Sequence, residues 1–329
     1  MKCLVTGSAG FIGSHLSESL LQAGHEVFGI DNLVNGKLSN LSECVKLEKF
    51  KFLKADICDD SIFEKIETDF DVIFHLAGMS DVVPSIDNPT IYFNANVVGT
   101  FNVANFALKS KVQKLVYAAS SSSYGIPEKY PTKESSTIDP QYPYALTKYL
   151  GEELLMHWAK VYKLPVISLR LFNVYGPRSR TSGTYGAVFG VFLAQKIAGK
   201  PLTVIGDGTQ TRDFTFVSDV CNAFVMAAMS EISGEIFNVG SSNTYSINKL
   251  ARLIGGEVIN IPKRPGEPEC TFADISKIKS VLGWSPKISF TEGVRIMLEN
   301  LDLWADAPVW NPETIELATR QWFKYLGNE

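Results

Sequence analysis

The sequence predicts a doubly wound, parallel α/β sheet followed by a smaller C-terminal lobe. Apolar runs without alternation recur through the first half, as strands covered on both faces require. Helix-like segments fill the intervals between those runs. The first run leads straight into a glycine-spaced turn that opens a helix. In order, the runs are KCLVT, EVFGID, FKFLKAD, DVIFHLA, KLVYAAS and PVISLRL. SHLSESLLQAG, between the first two, reads as an amphipathic helix closed by Gly24. PTIYFNANVVGTFNVANFALK and YALTKYLGEELLMHWAKVY read as long helices with more apolar surface than one sheet face needs. From about Asn173 the pattern becomes mixed and richer in Gly, Pro and polar residues. With no repeat, low-complexity tract or flexible linker, the two lobes are expected to pack closely.

Bulk properties narrow the function. The 329 residues carry a net charge of -4 with 20% charged residues, which is no electrostatic footprint for nucleic acid or a membrane surface. No apolar run reaches the length of a bilayer span, and the start lacks a basic-then-apolar leader. Cys3, Cys44, Cys58, Cys221 and Cys270 are odd in number and scattered, so neither a disulfide framework nor a zinc site is expected. A reducing cytoplasm is the expected compartment. His15, His25, His75 and His157 lack ligand spacing and read as structural, and no metal is expected.

TGSAGFIG follows the first strand and spaces Gly7, Gly10 and Gly13 three apart. Gly7 permits a tight turn, Gly10 lets the backbone approach a pyrophosphate, and Gly13 lets the helix pack on the strand. The helix start then offers free N–H groups to the phosphates. The second strand ends on Asp31, 18 residues after Gly13. A carboxylate there accepts hydrogen bonds from the adenosine ribose hydroxyls and repels a 2′-phosphate, which favours NAD over NADP; the competing reading is an ordinary cap. This makes the sheet Rossmann-like, with a dinucleotide-binding domain over 1–172 and a second, substrate-binding lobe over 173–329. Parts near 212–240 are expected to return to the first domain.

YPYALTK places Tyr144 and Lys148 four apart, on one face of a helix. A phenol titrates near ~10, so it needs a neighbouring ammonium to serve as a base near neutral pH. The pair follows Ser120 by 24 residues, and Ser120 opens the serine run of AASSSSYG. With DNLVNGKLSNL, ADICD, FHLAG, NVVGT, LRLFNVYGP, GDGTQTRDFTFVSDV and RPGEPECTFADISK, these motifs run in order through about Lys277. Their combination resembles the extended short-chain dehydrogenase/reductases, in the group of NAD-dependent nucleotide-sugar epimerases and dehydratases. The closest likeness is to 4-epimerases of UDP-hexoses and UDP-N-acetylhexosamines.

The resemblance implies roles residue by residue. Ser120 would hydrogen-bond the sugar 4-hydroxyl, Tyr144 would remove its proton while C4 gives hydride to NAD, and Lys148 would hold the nicotinamide ribose. Phe11, Ile12, Asn32, Asn35, Leu76, Ala77 and Gly78 would contact the cofactor beside the glycines and Asp31. Asp56 and Ile57 would meet adenine, and Asn96 would lie beneath the cofactor. Asn173, Arg212 and Arg264 would hold the diphosphate and nucleoside, since arginine forks bind phosphate oxygens bidentately, and Glu267 would join the substrate site; taken singly, either arginine could be a surface charge. Relatives also pair their two long helices into a four-helix bundle, implying a homodimer.

Dehydratases of this group follow the catalytic Ser/Thr with an acid pair, and decarboxylases usually keep a glutamate at the second position. Here those positions are Ser121 and Ser122. Serine has no carboxyl proton to give, so 6-dehydration lacks its acid. The expectation is a 4-epimerase; the alternative is a 4-dehydrogenase that releases the 4-keto sugar. A non-catalytic NAD-binding scaffold is disfavoured by the intact Ser120, Tyr144 and Lys148. On this reading Ser121 and Ser122 border the sugar and report only a missing acid. Ser80 and Asp81 stand at the pocket edge, where Asp81 either binds sugar hydroxyls or caps the following helix. The last segment, DLWADAPVWNPETIELATRQWFKYLG, reads as an amphipathic helix docked by Trp304, Trp310 and Trp322.

Overall fold

The computed structural model describes residues 1–179 and 186–327. The first half runs β1 (Lys2–Thr6), α1 (Phe11–Gln22), β2 (Glu26–Asp31), β3 (Phe50–Lys54), β4 (Val72–His75), α2 (Val82–Asp87), α3 (Pro89–Phe93), α4 (Gly99–Ser110), β5 (Lys114–Ser120), α5 (Pro143–Tyr162) and β6 (Val166–Leu171). Every apolar run named above forms a strand. The rest runs β7 (Val174–Tyr175), α6 (Val188–Ile197), β8 (Leu202–Ile205), β9 (Thr211–Arg212), β10 (Thr215–Phe216), α7 (Val217–Met229), β11 (Glu235–Val239), β12 (Tyr245–Ser246), α8 (Ile247–Ile254), β13 (Val258–Ile261), α9 (Ser276–Leu282), α10 (Phe290–Glu299) and α11 (Pro312–Leu326).

Seven strands form one parallel sheet in the order β11-β6-β5-β4-β1-β2-β3. Alternate residues of each strand feed opposite faces. Cys3 and Val5 join the core under α1 and α7, and Leu4 joins the core under α4 and α5. That two-sided burial is why the strands read as unbroken apolar runs. The edge strand β11 comes from the later part of the chain and pairs with β6. In the second lobe, Tyr175 stacks on Phe189 at 4.5 Å and Phe290 on Tyr245 at 4.4 Å, joining α6 and α10 to the short strands.

Two expectations change in detail. The helix expected across PTIYFNANVVGTFNVANFALK is interrupted by a π-turn over Asn94–Val98, which turns Asn96 inward, where it is 1% exposed. Of the three late tryptophans, only Trp322 lies on the terminal helix. Trp304 is buried in a 3-10 turn before it, and Trp310 is partly buried in the connection. No helix among the described residues is long and apolar enough to cross a membrane.

Candidate active site

β1 and β4 are neighbours, and the chain winds away from them in opposite directions, so the loops leaving their C-terminal ends part and open a crevice. A cavity of about 320 Å³ occupies it. Gly7, Gly10, Phe11, Ile12 and Gly13 line it from the turn after β1. Asp31, Asn32 and Asn35 follow β2, and Asp56 and Ile57 follow β3. Leu76, Ala77, Gly78 and Ser80 follow β4. Gly7 has φ +73°, and a Cβ there would stand 2.7 Å from the Ala77 nitrogen. A Cβ on Gly13 would stand 2.1 Å from the Gly7 carbonyl oxygen. Gly10 begins α1 without a side-chain cap and with no acidic residue in the first turn, which leaves the helix start to an anion.

Asp31 is buried, and its carboxylate accepts from the Ala9 N–H at 3.0 Å and the Leu33 N–H at 2.8 Å. Burial pushes its pKa up, and the backbone N–H groups of Leu33, Ala9 and Gly10 oppose that push. It is therefore tied to the glycine turn as well as placed at the strand end. A surface that a Cβ would fill, an uncapped helix start and a carboxylate at the end of β2 together fit a dinucleotide. Sequence reasoning missed Gly36, where a Cβ would stand 2.8 Å from both Asp31 oxygens, although the Asn-Gly turn signal was present. It also missed Arg178 and Leu303, which reach the cavity from distant parts of the chain.

Ser120 ends β5 in extended conformation, and its hydroxyl accepts from the Ser122 N–H at 3.2 Å, capping the 3-10 turn Ser121–Tyr124. The Ser120 and Ser122 hydroxyl oxygens are 2.5 Å apart. Burial raises the Tyr144 phenol above its ordinary pKa, and hydrogen bonding from Ser120 and Ser122 pulls it back. The Tyr142 phenol is likewise raised by burial, with Ser122 again opposing. Four hydroxyls thus converge. Ser122, read from sequence as a sugar-bordering position that lacks an acid, has its hydroxyl 2.5 Å from that of Ser120 and also bears on the phenol, while Ser121 shares the turn.

Lys148 is buried one turn beyond Tyr144. Burial pushes its ammonium down to about 7, and the Glu152 carboxylate opposes this. The Lys148 nitrogen lies 4.4 Å from the centroid of the Tyr117 ring, and the downward pull on Tyr144 comes from the serines. Asn96 does not line the cavity either. Its Oδ1 accepts from the Met79 N–H at 2.8 Å, and its Nδ2 donates to the Met79 carbonyl and the Thr147 hydroxyl, each at 3.0 Å. It braces the loop after β4 against α5. A Cβ at Gly151 would stand 2.6 Å from the Tyr117 hydroxyl, so α5 crosses the sheet closely at that point.

From the second lobe, Glu267 pairs with Arg264 at 2.7 Å and faces Arg212 at 3.8 Å. The structure therefore brings these three expected residues together. Burial lowers the Arg212 pKa, and Glu267 opposes it. The fourth, Asn173, has a positive φ of +26°, and its Oδ1 accepts from the Thr271 hydroxyl at 2.7 Å, which in turn accepts from the N–H of Asp213, next to Arg212, at 3.0 Å. Asp81 occupies the N-cap position of α2 but makes no capping hydrogen bond, and Ser80 is exposed at the cavity rim. Among the described residues, no cluster of His, Cys, Asp and Glu is able to hold a metal ion.

A dinucleotide crevice at the sheet's switch point, beside a serine, a tyrosine and a lysine set for proton chemistry, defines a dinucleotide-dependent oxidoreductase site. The chain belongs to the extended short-chain dehydrogenase/reductase family, and the family model described as GDP-mannose 4,6 dehydratase matches residues 4–297. It is 39% identical over 308 residues to the UDP-glucose 4-epimerase of Mycolicibacterium smegmatis, covering 91% of this chain and 98% of that one. The structure is similar to that of UDP-glucose 4-epimerase with UDP-glucose from Thermotoga maritima (TM-score 0.86, 32% identity, 92% of this chain and 99% of that one). It is also similar to UDP-glucuronic acid 4-epimerase from Bacillus cereus in complex with UDP-glucuronic acid and NAD (TM-score 0.84, 32% identity, the same coverage).

Proposed function

We propose that this chain is an NAD-dependent nucleotide-sugar 4-epimerase, acting on a UDP-sugar through a 4-keto intermediate. The carrying observation is the serine turn: Ser120 and Ser122 bear on the phenol, and Ser121 and Ser122 stand where a dehydratase would carry its acid pair. NAD, when bound, supplies the hydride acceptor and donor for sugar C4. Gly7, Gly10 and Gly13 would cradle its pyrophosphate, Asp31 its adenosine ribose, and Lys148 its nicotinamide ribose. Ser120 orients the sugar 4-hydroxyl, and Tyr144 takes its proton and later returns it. With no carboxyl at 121 or 122, nothing there protonates a departing 6-hydroxyl, so the sugar is re-reduced instead of dehydrated. Arg212 and Arg264 bind the diphosphate, and Glu267 holds their forks ready.

The test is incubation of purified protein with UDP-, GDP-, dTDP- and CDP-sugars, with products read by NMR and NADH by absorbance. A C4 epimer without net NADH is expected. A released 4-keto sugar with stoichiometric NADH would replace the epimerase with a 4-dehydrogenase. Cofactor extracted from denatured protein should be NAD(H) by mass; NADP(H) alone would sink the Asp31 argument.

We also infer a homodimer built on the outer faces of α3, α4 and α5. Phe93, Phe101 and Leu146 are each more than two-fifths exposed there, and Phe93 and Leu146 border one shallow apolar groove. Such residues on two long helices suit an isologous four-helix contact. Light scattering at micromolar concentration should give twice the chain mass, and Phe101→Asp with Leu146→Asp should halve it. A strictly monomeric parent rules the dimer out.

A further inference from the structure

The C-terminal helix lies beyond the segment matched by the family model, which ends at residue 297, and it supplies none of the residues assigned to the chemistry. Its construction is nonetheless firm. Asn311 caps it, accepting from the Thr314 N–H at 2.8 Å in a reciprocal capping box, and Pro312 occupies its first turn. Ile315, Thr319 and Trp322 form the buried stripe that the helical repeat predicts, at 4%, 1% and 0% exposure. Of this stripe, Trp322 reaches the residues of the proposed sugar-nucleotide site. The Trp322 ring packs at 5.4 Å on Tyr142, which is stacked in turn on Tyr144 at 6.5 Å with nearly parallel planes. On its other edge, the Trp322 indole N–H donates to the Pro265 carbonyl at 2.8 Å, next to Arg264. Leu326 reaches Gly266 in the same loop, within 3.7 Å of where a Cβ would stand.

We propose that Trp322 is a positioning residue for both halves of the reaction site: its ring holds Tyr142 against the catalytic Tyr144, and its indole N–H holds the 264–267 loop that presents Arg264 and Glu267 to the diphosphate. The inference rests on the sugar-nucleotide reading above. A two-ring indole with one donor suits the task, since the apolar face packs while the polar edge satisfies a loop carbonyl. Trp322 touches no reacting atom in this arrangement. It acts through Tyr142 on the hydroxyl cluster and through Pro265 on the arginine–glutamate group.

Two substitutions separate the contacts. Trp322→Phe keeps a ring against Tyr142 and removes the donor. It should weaken UDP binding in titration calorimetry, and raise KM, about three- to tenfold, with kcat nearly unchanged. Trp322→Ala removes both contacts and should also lower kcat by about 10–100-fold through misplacement of the phenol. Its pH–rate profile should move as well, because the hydroxyl cluster around Tyr144 loosens. Tyr325→Ala, on the exposed side of the helix, should match the parent in every readout. NAD content and thermal midpoint report folding, and if Trp322→Ala does not fold, the Phe variant decides alone. Folded Phe and Ala variants with parental UDP affinity, kcat and pH profile would overturn the proposal. UDP binding needs no turnover, so a parent that binds UDP but epimerises nothing overturns the reaction and leaves this inference to the calorimetry. A parent that binds none of UDP, GDP, dTDP or CDP overturns the sugar-nucleotide reading and the inference with it.

Discussion

Replacing Tyr144 by Phe should lower turnover by about 10²–10⁴-fold while leaving the fold and bound NAD(H) in place. The ring stays, so the edge contact with Tyr92 at 6.4 Å and the stacking on Tyr142 survive. What is lost is the oxygen on which Ser120 and Ser122 converge. Of the other groups in the cluster, the serine hydroxyls titrate far too high, and the Tyr142 phenol is itself raised by burial. Ser120→Ala and Ser122→Ala should each do less damage, because each removes one hydrogen bond and leaves the base. Both bonds pull the phenol pKa down against burial, so either substitution should let it rise. The base works as phenolate, whose fraction grows with pH; the acid limb of kcat should therefore shift to higher pH in both variants. Ser121→Ala should leave that limb where it is. Rates and pH profiles for the four variants on the natural substrate check this ranking. Parental turnover in Tyr144→Phe would remove Tyr144 from the mechanism, and an unmoved limb in Ser122→Ala would return Ser122 to bystander status.

The parts of this site that were legible in the sequence are those fixed by local stereochemistry. Gly7 and Gly13 announce themselves because a turn and a helix–strand contact leave no room for a Cβ, and the strand runs because burial on both faces removes alternation. The Ser120, Tyr144 and Lys148 trio is legible through its spacing. What escaped depends on how remote segments meet. Ser122 gains its place because a 3-10 turn folds its hydroxyl back on Ser120, and nothing in four consecutive serines says which way each points. Lys148 rests on the Tyr117 ring because Gly151 lets α5 approach β5, a contact between residues far apart in sequence. The π-turn that buries Asn96 has no period of its own to read. Trp322 was visible as an anchor, but its partners Tyr142 and Pro265 lie 180 and 57 residues away along the chain.

Glu152 is where the largest loss of stability is expected from a single polar change. It lies on α5 one turn beyond Lys148, 1% exposed, and faces Arg170 of β6, itself 3% exposed. Its carboxylate accepts from the Arg170 Nη2 at 2.5 Å, the Arg170 Nε at 3.0 Å and the Ser168 hydroxyl at 2.7 Å. The guanidinium also lies 4.8 Å from the Tyr124 ring and donates to the Glu134 carbonyl at 3.2 Å. Glu152→Gln keeps the shape but leaves a buried guanidinium without its counter-charge, a change that costs about 3–5 kcal/mol in such settings. The same carboxylate raises the Lys148 pKa against a burial that holds it at about 7. Without it, the ammonium should titrate lower. An ammonium is lost as pH rises through its pKa, so the alkaline limb of activity that depends on charged Lys148 should move to lower pH. The two effects separate in the pair Glu152→Met with Arg170→Leu: removing both charges should recover most of the stability but leave the limb displaced, because Lys148 still lacks its carboxylate. Urea unfolding gives the first quantity and pH–rate profiles the second. A loss below about 1 kcal/mol in Glu152→Gln, with the alkaline limb unmoved, would mean that water reaches this pair and that Lys148 keeps its charge by other means.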